Sequence, residues 1–295
     1  MNPYGMNQTP SDCETMLFLI RLCHCTNDRK FCALRSPYTM KKKPYTSFHE
    51  EKESRVITPR LPDKAFCGLI GRYYLLEGKD YPGQCQEILP KSNYRLVFIL
   101  NDPNGGLYFL GPNMKMRITP MQDYFVVHFR QGMMPRLADI KPIDMAEQSL
   151  PLRTLLGTET ATLSEELHAA RGMNAKQSFM EKFFKKSRIE TFSRDGLCVS
   201  AAEIVERRSG RIKVADLAEC LGANVRKIER SFLEEIGVSP KRFIRLIRFQ
   251  NVLTKLKADK SFKNLADLAY ACGYADQSHL IREFKAFSHK LPGHI

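Results

Sequence analysis

One stretch of this chain is written twice. Ala215-Asp216-Leu217-Ala218 opens the first copy and is followed by Gly222, Arg230, Phe232 and Pro240. Ala266-Asp267-Leu268-Ala269 opens the second and is followed by Gly273, Arg282, Phe284 and Pro292. The glycines are 51 positions apart and the phenylalanines 52, so one residue is inserted between them. An Ala-rich helix, a glycine turn and a second helix with basic and amide side chains is the sequence form of a helix-turn-helix. Two in tandem demand an all-α module at the C-terminus and point to double-stranded DNA as partner.

Each copy reads in detail as such a unit. Ser200 to Arg208 is a first helix, with Ser200 as its cap and Ile204 and Val205 inward. Val214 to Leu221 follows, with Leu217 and Leu221 at i, i+4, and Gly222 ends it in a left-handed turn. Asn224 caps the next helix, which buries Ile228 and Phe232. Ser239 and Pro240 are N-cap and first residue of a long helix reaching about Lys257. That helix carries Lys241, Arg242, Arg245, Arg248, Lys255 and Lys257 and no acidic residue. About 18 residues at ~1.5 Å rise span roughly 27 Å. With the width of the flanking helices this can set two readers one turn of duplex, ~34 Å, apart. Lys241, Arg242, Arg245 and Arg248 are therefore candidate phosphate contacts. In the second copy Asp276 caps a helix that buries Leu280 and Phe284.

The charge supports this. The chain has 295 residues and a formal net charge of +14. Its last 98 residues hold 18 Lys and Arg against 11 Asp and Glu, a net of +7 on one third of the length. Polyanions are the expected partners. Nine cysteines scattered from Cys13 to Cys272 are not a disulfide framework and suit a reducing, cytoplasmic setting. The run Met16 to Ile20 is cut off by Arg21, so no stretch approaches a membrane span or a signal peptide.

Four segments are expected. Residues 1–55 read as a poorly ordered extension. Residues 56–150 read as β: Tyr94 to Leu100, Leu107 to Leu110 and Tyr124 to Arg130 are strands, and Asn101 to Gly106 is a turn. Several short strands with Gly/Pro turns imply a barrel or double sheet. Residues 151–194 are a helical connector. Its faces, Leu163, Leu167 and Ala170 and then Phe179, Phe183 and Phe184, either pack on the β domain or pair two subunits. Ser193 to Gly196 is a hinge into the DNA module, 195–295.

The C-terminal pieces together resemble the DNA-binding domain of AraC-type transcriptional regulators. They are Ala215 to Ala218, Arg230-Ser231-Phe232, Gly237-Val238-Ser239-Pro240, Arg245 with Arg248-Phe249-Gln250, Leu265 to Ala269, Cys272-Gly273-Tyr274, Asp276 to Leu280 and Arg282 to Lys285. By position the resemblance implies groove-facing roles for Arg226, Glu229 and Arg230 in the first reader, and for Gln277, Ser278, His279 and Arg282 in the second. It departs from the family's pattern at His289 and Leu291, where a glycine and a small hydroxyl residue are usual. Ile88-Leu89-Pro90, Leu96-Val97-Phe98 and His128 to Gly132 are similar to the cupin-like sensor half of some bacterial members. That likeness implies effector binding, dimerisation or both.

The expectation is a sequence-specific regulator without catalytic activity, cofactor or metal. Its partners would be double-stranded DNA, a small-molecule effector, a second copy of the chain and RNA polymerase, with no membrane. A cupin-type metalloenzyme is the alternative, but it needs a cluster of ligands, and His128 stands alone in its strand with His49 and His168 far off in sequence. A methyl-accepting DNA-repair regulator would need zinc-holding cysteines. Cys23, Cys25 and Cys32, with His24, lack the paired spacing.

Overall fold

The computed structural model describes residues 55–78, 85–100, 106–120, 122–131, 140–187, 196–258, 262 and 264–294. All lie in one compact unit, 47–295. Residues 1–54 of the 1–55 extension, 101–105 of the turn and 193–195 of the hinge lie outside the described residues, and Arg55 opens the first strand.

The N-terminal half is antiparallel β. Its strands are β1 (Arg55–Arg60), β2 (Ile70–Gly78), β3 (Cys85–Ile88), β4 (Arg95–Ile99), β5 (Leu107–Leu110), β6 (Arg117–Pro120), β7 (Tyr124–Phe129) and β8 (Ser149–Pro151). Six of them form one sheet in the order β1-β2-β7-β4-β5-β8, and β3 pairs with β6 in a two-stranded sheet. Among the described residues the six-stranded sheet does not close on itself, β1 and β8 being its edges. The strands alternate as their composition requires. Leu96 and Phe98 of β4, Phe125, Val127 and Phe129 of β7, and Tyr73 and Leu75 of β2 enter the main core. Val97, Ile99, Tyr124, Val126, Tyr74, Leu76 and Tyr108 form a second apolar face, several of them only half-buried.

Helices α1 (Pro142–Met145), α2 (Arg153–Leu156), α3 (Glu159–Ala169) and α4 (Gly172–Lys186) follow. Leu163, Leu167, Met173, Met180 and Phe184 belong to the same core as the sheet. Phe179 and Phe183, half-buried, pack against that core. The buried Lys176 ammonium donates to Leu167 O at 2.5 Å and Ala170 O at 2.6 Å, satisfying carbonyls at the end of α3.

The C-terminal module contains α5 (Leu197–Arg207), α6 (Val214–Cys220), α7 (Val225–Glu235), α8 (Pro240–Ala258), α9 (Leu265–Ala271) and α10 (Gln277–Ser288). The first of these starts three residues earlier than Ser200, behind Gly196 and without a side-chain cap. Burial of Cys198 and Val199 extends it. Elsewhere the caps are as expected. Asn224 accepts from Lys227 N at 2.8 Å, and Asp276 accepts from His279 N at 2.7 Å. Gly222 and Gly273 end the first helix of each repeat with φ of +58° and +77°. Phe232 and Phe243 meet edge to face, and Phe249 contacts both Phe284 and Phe287, so α8 is the spine of a single core.

The module is fastened to the sheet domain. Tyr94 Oη donates to Ile236 O at 2.8 Å, at the end of α7. Met116 N donates to Phe287 O at 2.9 Å, near the end of α10. Gln250 Nε2 donates to Pro90 O at 3.1 Å, and Lys290 pairs with Glu87 at 2.6 Å. No described helix is long and apolar enough to cross a membrane.

Candidate nucleic-acid interface

Each reader buries one face and leaves its N-terminal end in solvent. On α7, Ile228, Ser231 and Phe232 are buried, while Arg226, Lys227, Glu229 and Arg230 are exposed. On α10, Leu280, Phe284 and Phe287 are buried, while Gln277, Ser278, Arg282 and Lys285 are exposed. His279 differs from its neighbours: it is half-buried and its ring stands edge-on to Tyr274 at 5.2 Å. Arginine and glutamine at the open end of a helix are the residue types that fork onto guanine and adenine edges in the major groove. Lys227 and Lys285 share these exposed faces and were not singled out from sequence. Only the burial of their neighbours marks them.

The four basic residues of α8 have different situations. Lys241 is exposed. Arg242 Nη2 lies 3.2 Å from Glu147 Oε1 of the sheet domain. Arg245 makes a fork to Glu283 of α10, with Nε and Nη2 each 2.8 Å from a carboxylate oxygen. Hydrogen bonding to that carboxylate holds its guanidinium above its ordinary pKa, against a smaller lowering by burial. Arg248 donates from Nε and Nη2 to Gly210 O at 3.0 and 2.9 Å. Arg245 thus fixes the second reader to the spine, and Arg248 fixes the loop after α5. Both guanidinium groups are held by the module itself, a role a charge run cannot disclose in sequence.

In the sheet domain, Arg95 of β4 is only 5% exposed and enters no ion pair among the described residues. Its Nη2 donates to Asn113 Oδ1 at 2.6 Å, and its Nε has no partner among the described residues. Burial, and then the charge of Arg117, push its pKa down to about 9. His128 is paired with it in register on β7, with its ring 4.7 Å from Tyr74. Burial, aided by the charges of Arg95, Lys91 and Arg72, holds His128 well below the usual imidazole range. No group of three or more His, Cys, Asp or Glu that could hold a metal ion occurs among the described residues.

Residues 217–295 match the family described as a helix-turn-helix domain. No curated relative matches the chain. Among solved structures, a transcriptional regulator with an AraC-type DNA-binding domain from Chromobacterium violaceum is 20% identical, with 33% of this chain and 86% of that one covered and a TM-score of 0.30. Apo ToxT from Vibrio cholerae is 14% identical over 82% of this chain and 96% of that one, with a TM-score of 0.39. The same protein bound to (E)-4-(8-methylnaphthalen-1-yl)but-3-enoic acid is 16% identical over 81% and 97%, with a TM-score of 0.37. At such scores these likenesses decide nothing for this chain. The class of protein that the fold and the matched domain define is a DNA-binding transcription regulator. Its C-terminal third carries a helix-turn-helix domain, behind an N-terminal antiparallel sheet.

Proposed function

We propose that the chain reads two successive major grooves with α7 and α10 and that its sheet domain answers to a small amphipathic anion. The observation that carries the reading is the pair of capped helices with open N-terminal ends, held on one spine, α7 by the Phe232–Phe243 contact and α10 by the Arg245–Glu283 fork. Arg226, Glu229 and Arg230 face one groove in this proposal, and Gln277, Ser278 and Arg282 the other, with His279 orienting the helix start. Lys241 and Arg242 contact phosphate. The reading includes no catalytic step.

The effector class follows from Arg95. A buried cation with no ion pair among the described residues is costly, and an anion reaching its buried, unpartnered Nε would offset that cost. The half-buried face of Tyr74, Leu76, Val97 and Tyr108 offers apolar cover for the rest of the molecule. Coupling has a physical route. Arg95 holds Asn113, whose backbone pairs with Lys91. Met114, next along, packs into the core of the helical module, and Met116 binds Phe287 O at the second reader.

Selected-oligonucleotide sequencing tests the DNA reading. Arg226→Ala and Gln277→Ala should each relax one half of the selected site and cost about 1–3 kcal/mol on it. Lys241→Ala should weaken all duplexes alike and flatten the salt dependence. Equal losses on selected and random DNA for both reader variants would defeat the assignment. For the effector, decanoate should change affinity for the selected site and decanol should not. No response to either removes the anion from the proposal while leaving the DNA reading intact.

A further inference from the structure

A cleft of about 430 Å³ opens between the end of α5, the C-terminal half of α8 and the end of α9. Arg207, Arg208 and Arg211 line it from one side, and Asn251 and Lys255 from the other. No lining residue is acidic, and none of these four cations enters an ion pair among the described residues. A charged helix face spreads its cations into water. Here they converge from two separate parts of the chain onto one concavity.

The frame beneath them is firmly built. Ser209 and Gly210 both take left-handed backbone, φ +50° and +72°. For serine that conformation is strained and persists only where the surroundings enforce it. A Cβ on Gly210 would lie 2.6 Å from Arg248 N and 2.7 Å from Ile244 O, so the loop rests directly on the α8 backbone. Arg248 then grips Gly210 O from the other side. Arg211 lays its stem over the turn of the second repeat, its Cγ 2.9 Å from where a Cβ on Gly273 would be. Lys255 Nζ stands 5.5 Å from the Phe262 ring, and Asn251 Nδ2 rests 3.7 Å from Cys272 Sγ, a weak contact for an amide donor.

Arg208 Nη2 donates to Cys220 Sγ at 3.6 Å. Four cations lining one concavity repel one another, and a multiply charged anion removes that repulsion. Guanidinium forks, an ammonium and a neutral amide donor together suit the tetrahedral oxygens of phosphate. We propose that this cleft is a phosphate-binding site, separate from the reading faces of α7 and α10. The same chemistry is supplied by a backbone phosphate of bound duplex or by a free oligophosphate, and the two are separable by experiment.

The full chain is titrated calorimetrically with inorganic pyrophosphate, and its affinity for duplex is measured against salt. Both are repeated with Arg207→Gln and Arg211→Gln, and with Lys182→Gln, an exposed cation of α4 outside the helix-turn-helix module, as the control. If free oligophosphate is the occupant, pyrophosphate binds the parent chain without DNA, and each cleft variant weakens it tenfold or more. If the duplex is the occupant, pyrophosphate binds feebly, and each cleft variant lowers the salt slope by nearly one, equally on selected and random sequence. Unfolding temperatures without ligand show whether a variant is intact. Lys255→Gln replaces any that is not. Intact cleft variants that change neither measurement overturn the site. So does a fall in unfolding temperature with unchanged pyrophosphate and DNA binding, since the cations would then serve only the C-termini of α5 and α9.

Discussion

Gly237 and His289 stand at equivalent places in the two repeats, and both take left-handed backbone, φ +84° and +57°. The glycine has no alternative: a Cβ there would lie 2.0 Å from Pro142 O. The histidine is exposed at the end of α10, where its side chain has room and only its backbone is strained. His289→Gly should therefore raise stability by about 1 kcal/mol, read as a higher midpoint in chemical denaturation. An unchanged or lower midpoint would contradict that account. Gly237→Ala should lower it by more. The departure from the family pattern at His289 is a matter of strain at one turn, with the αL geometry kept. His128 makes a second residue-scale prediction. Its folded pKa is depressed by burial, so the folded chain resists a proton that the unfolded chain accepts. Stability should be full above about pH 6.5 and fall as pH drops below it, by up to about 1.4 kcal/mol per unit. His128→Gln should remove this part of the slope. Identical pH profiles for the two proteins would show that the ring does not titrate on unfolding.

At the scale of elements, α8 is the informative case. Its sequence reads as a cationic rod, and as a helix it runs where expected, Pro240–Ala258. Its charges are not interchangeable, because rotation about the axis sends each to a different neighbour. Arg245 faces α10, Arg248 faces the loop at Gly210, and Arg242 faces Glu147. Glu283→Gln should cost roughly 1 kcal/mol at low salt, and less at high salt, because the Arg245 side chain is 37% exposed. The more telling readout is the selected site: a looser second reader should blur its half of the sequence and spare the other. A sharp second half-site in the variant would mean that Glu283 has no part in holding α10. The caps, by contrast, were legible in advance. Asn224 and Asp276 are short acceptors placed three residues before a free N–H, and local geometry leaves little else for them to do.

At the scale of the whole molecule, the two halves are one body within 47–295. Both reader helices are anchored at their C-terminal ends by the sheet domain, α7 through Tyr94 and α10 through Met116 and the Lys290–Glu87 pair. Tyr94→Phe combined with Lys290→Ala should speed hydrogen exchange at the Met116 amide while leaving Val127, deep in the sheet, protected. Equal acceleration at both sites would mean that the variant loosens the domain and not the junction. The amino-acid order alone determined the tandem repeat, the turns at Gly222 and Gly273, the caps at Asn224 and Asp276, the main strands and the buried anchors of each reader, Ile228, Phe232, Leu280 and Phe284. These are local matters of period, turn geometry and side-chain reach. Only the tertiary structure decided which arginines are bound within the fold and that the connector's apolar stripe belongs to the sheet's core. It also buried Arg95 with no ion pair among the described residues and gathered Arg207, Arg208, Arg211 and Lys255 around one cleft. Each of these depends on which distant segments meet, and a charge carries no mark in the sequence of the partner it will be packed against.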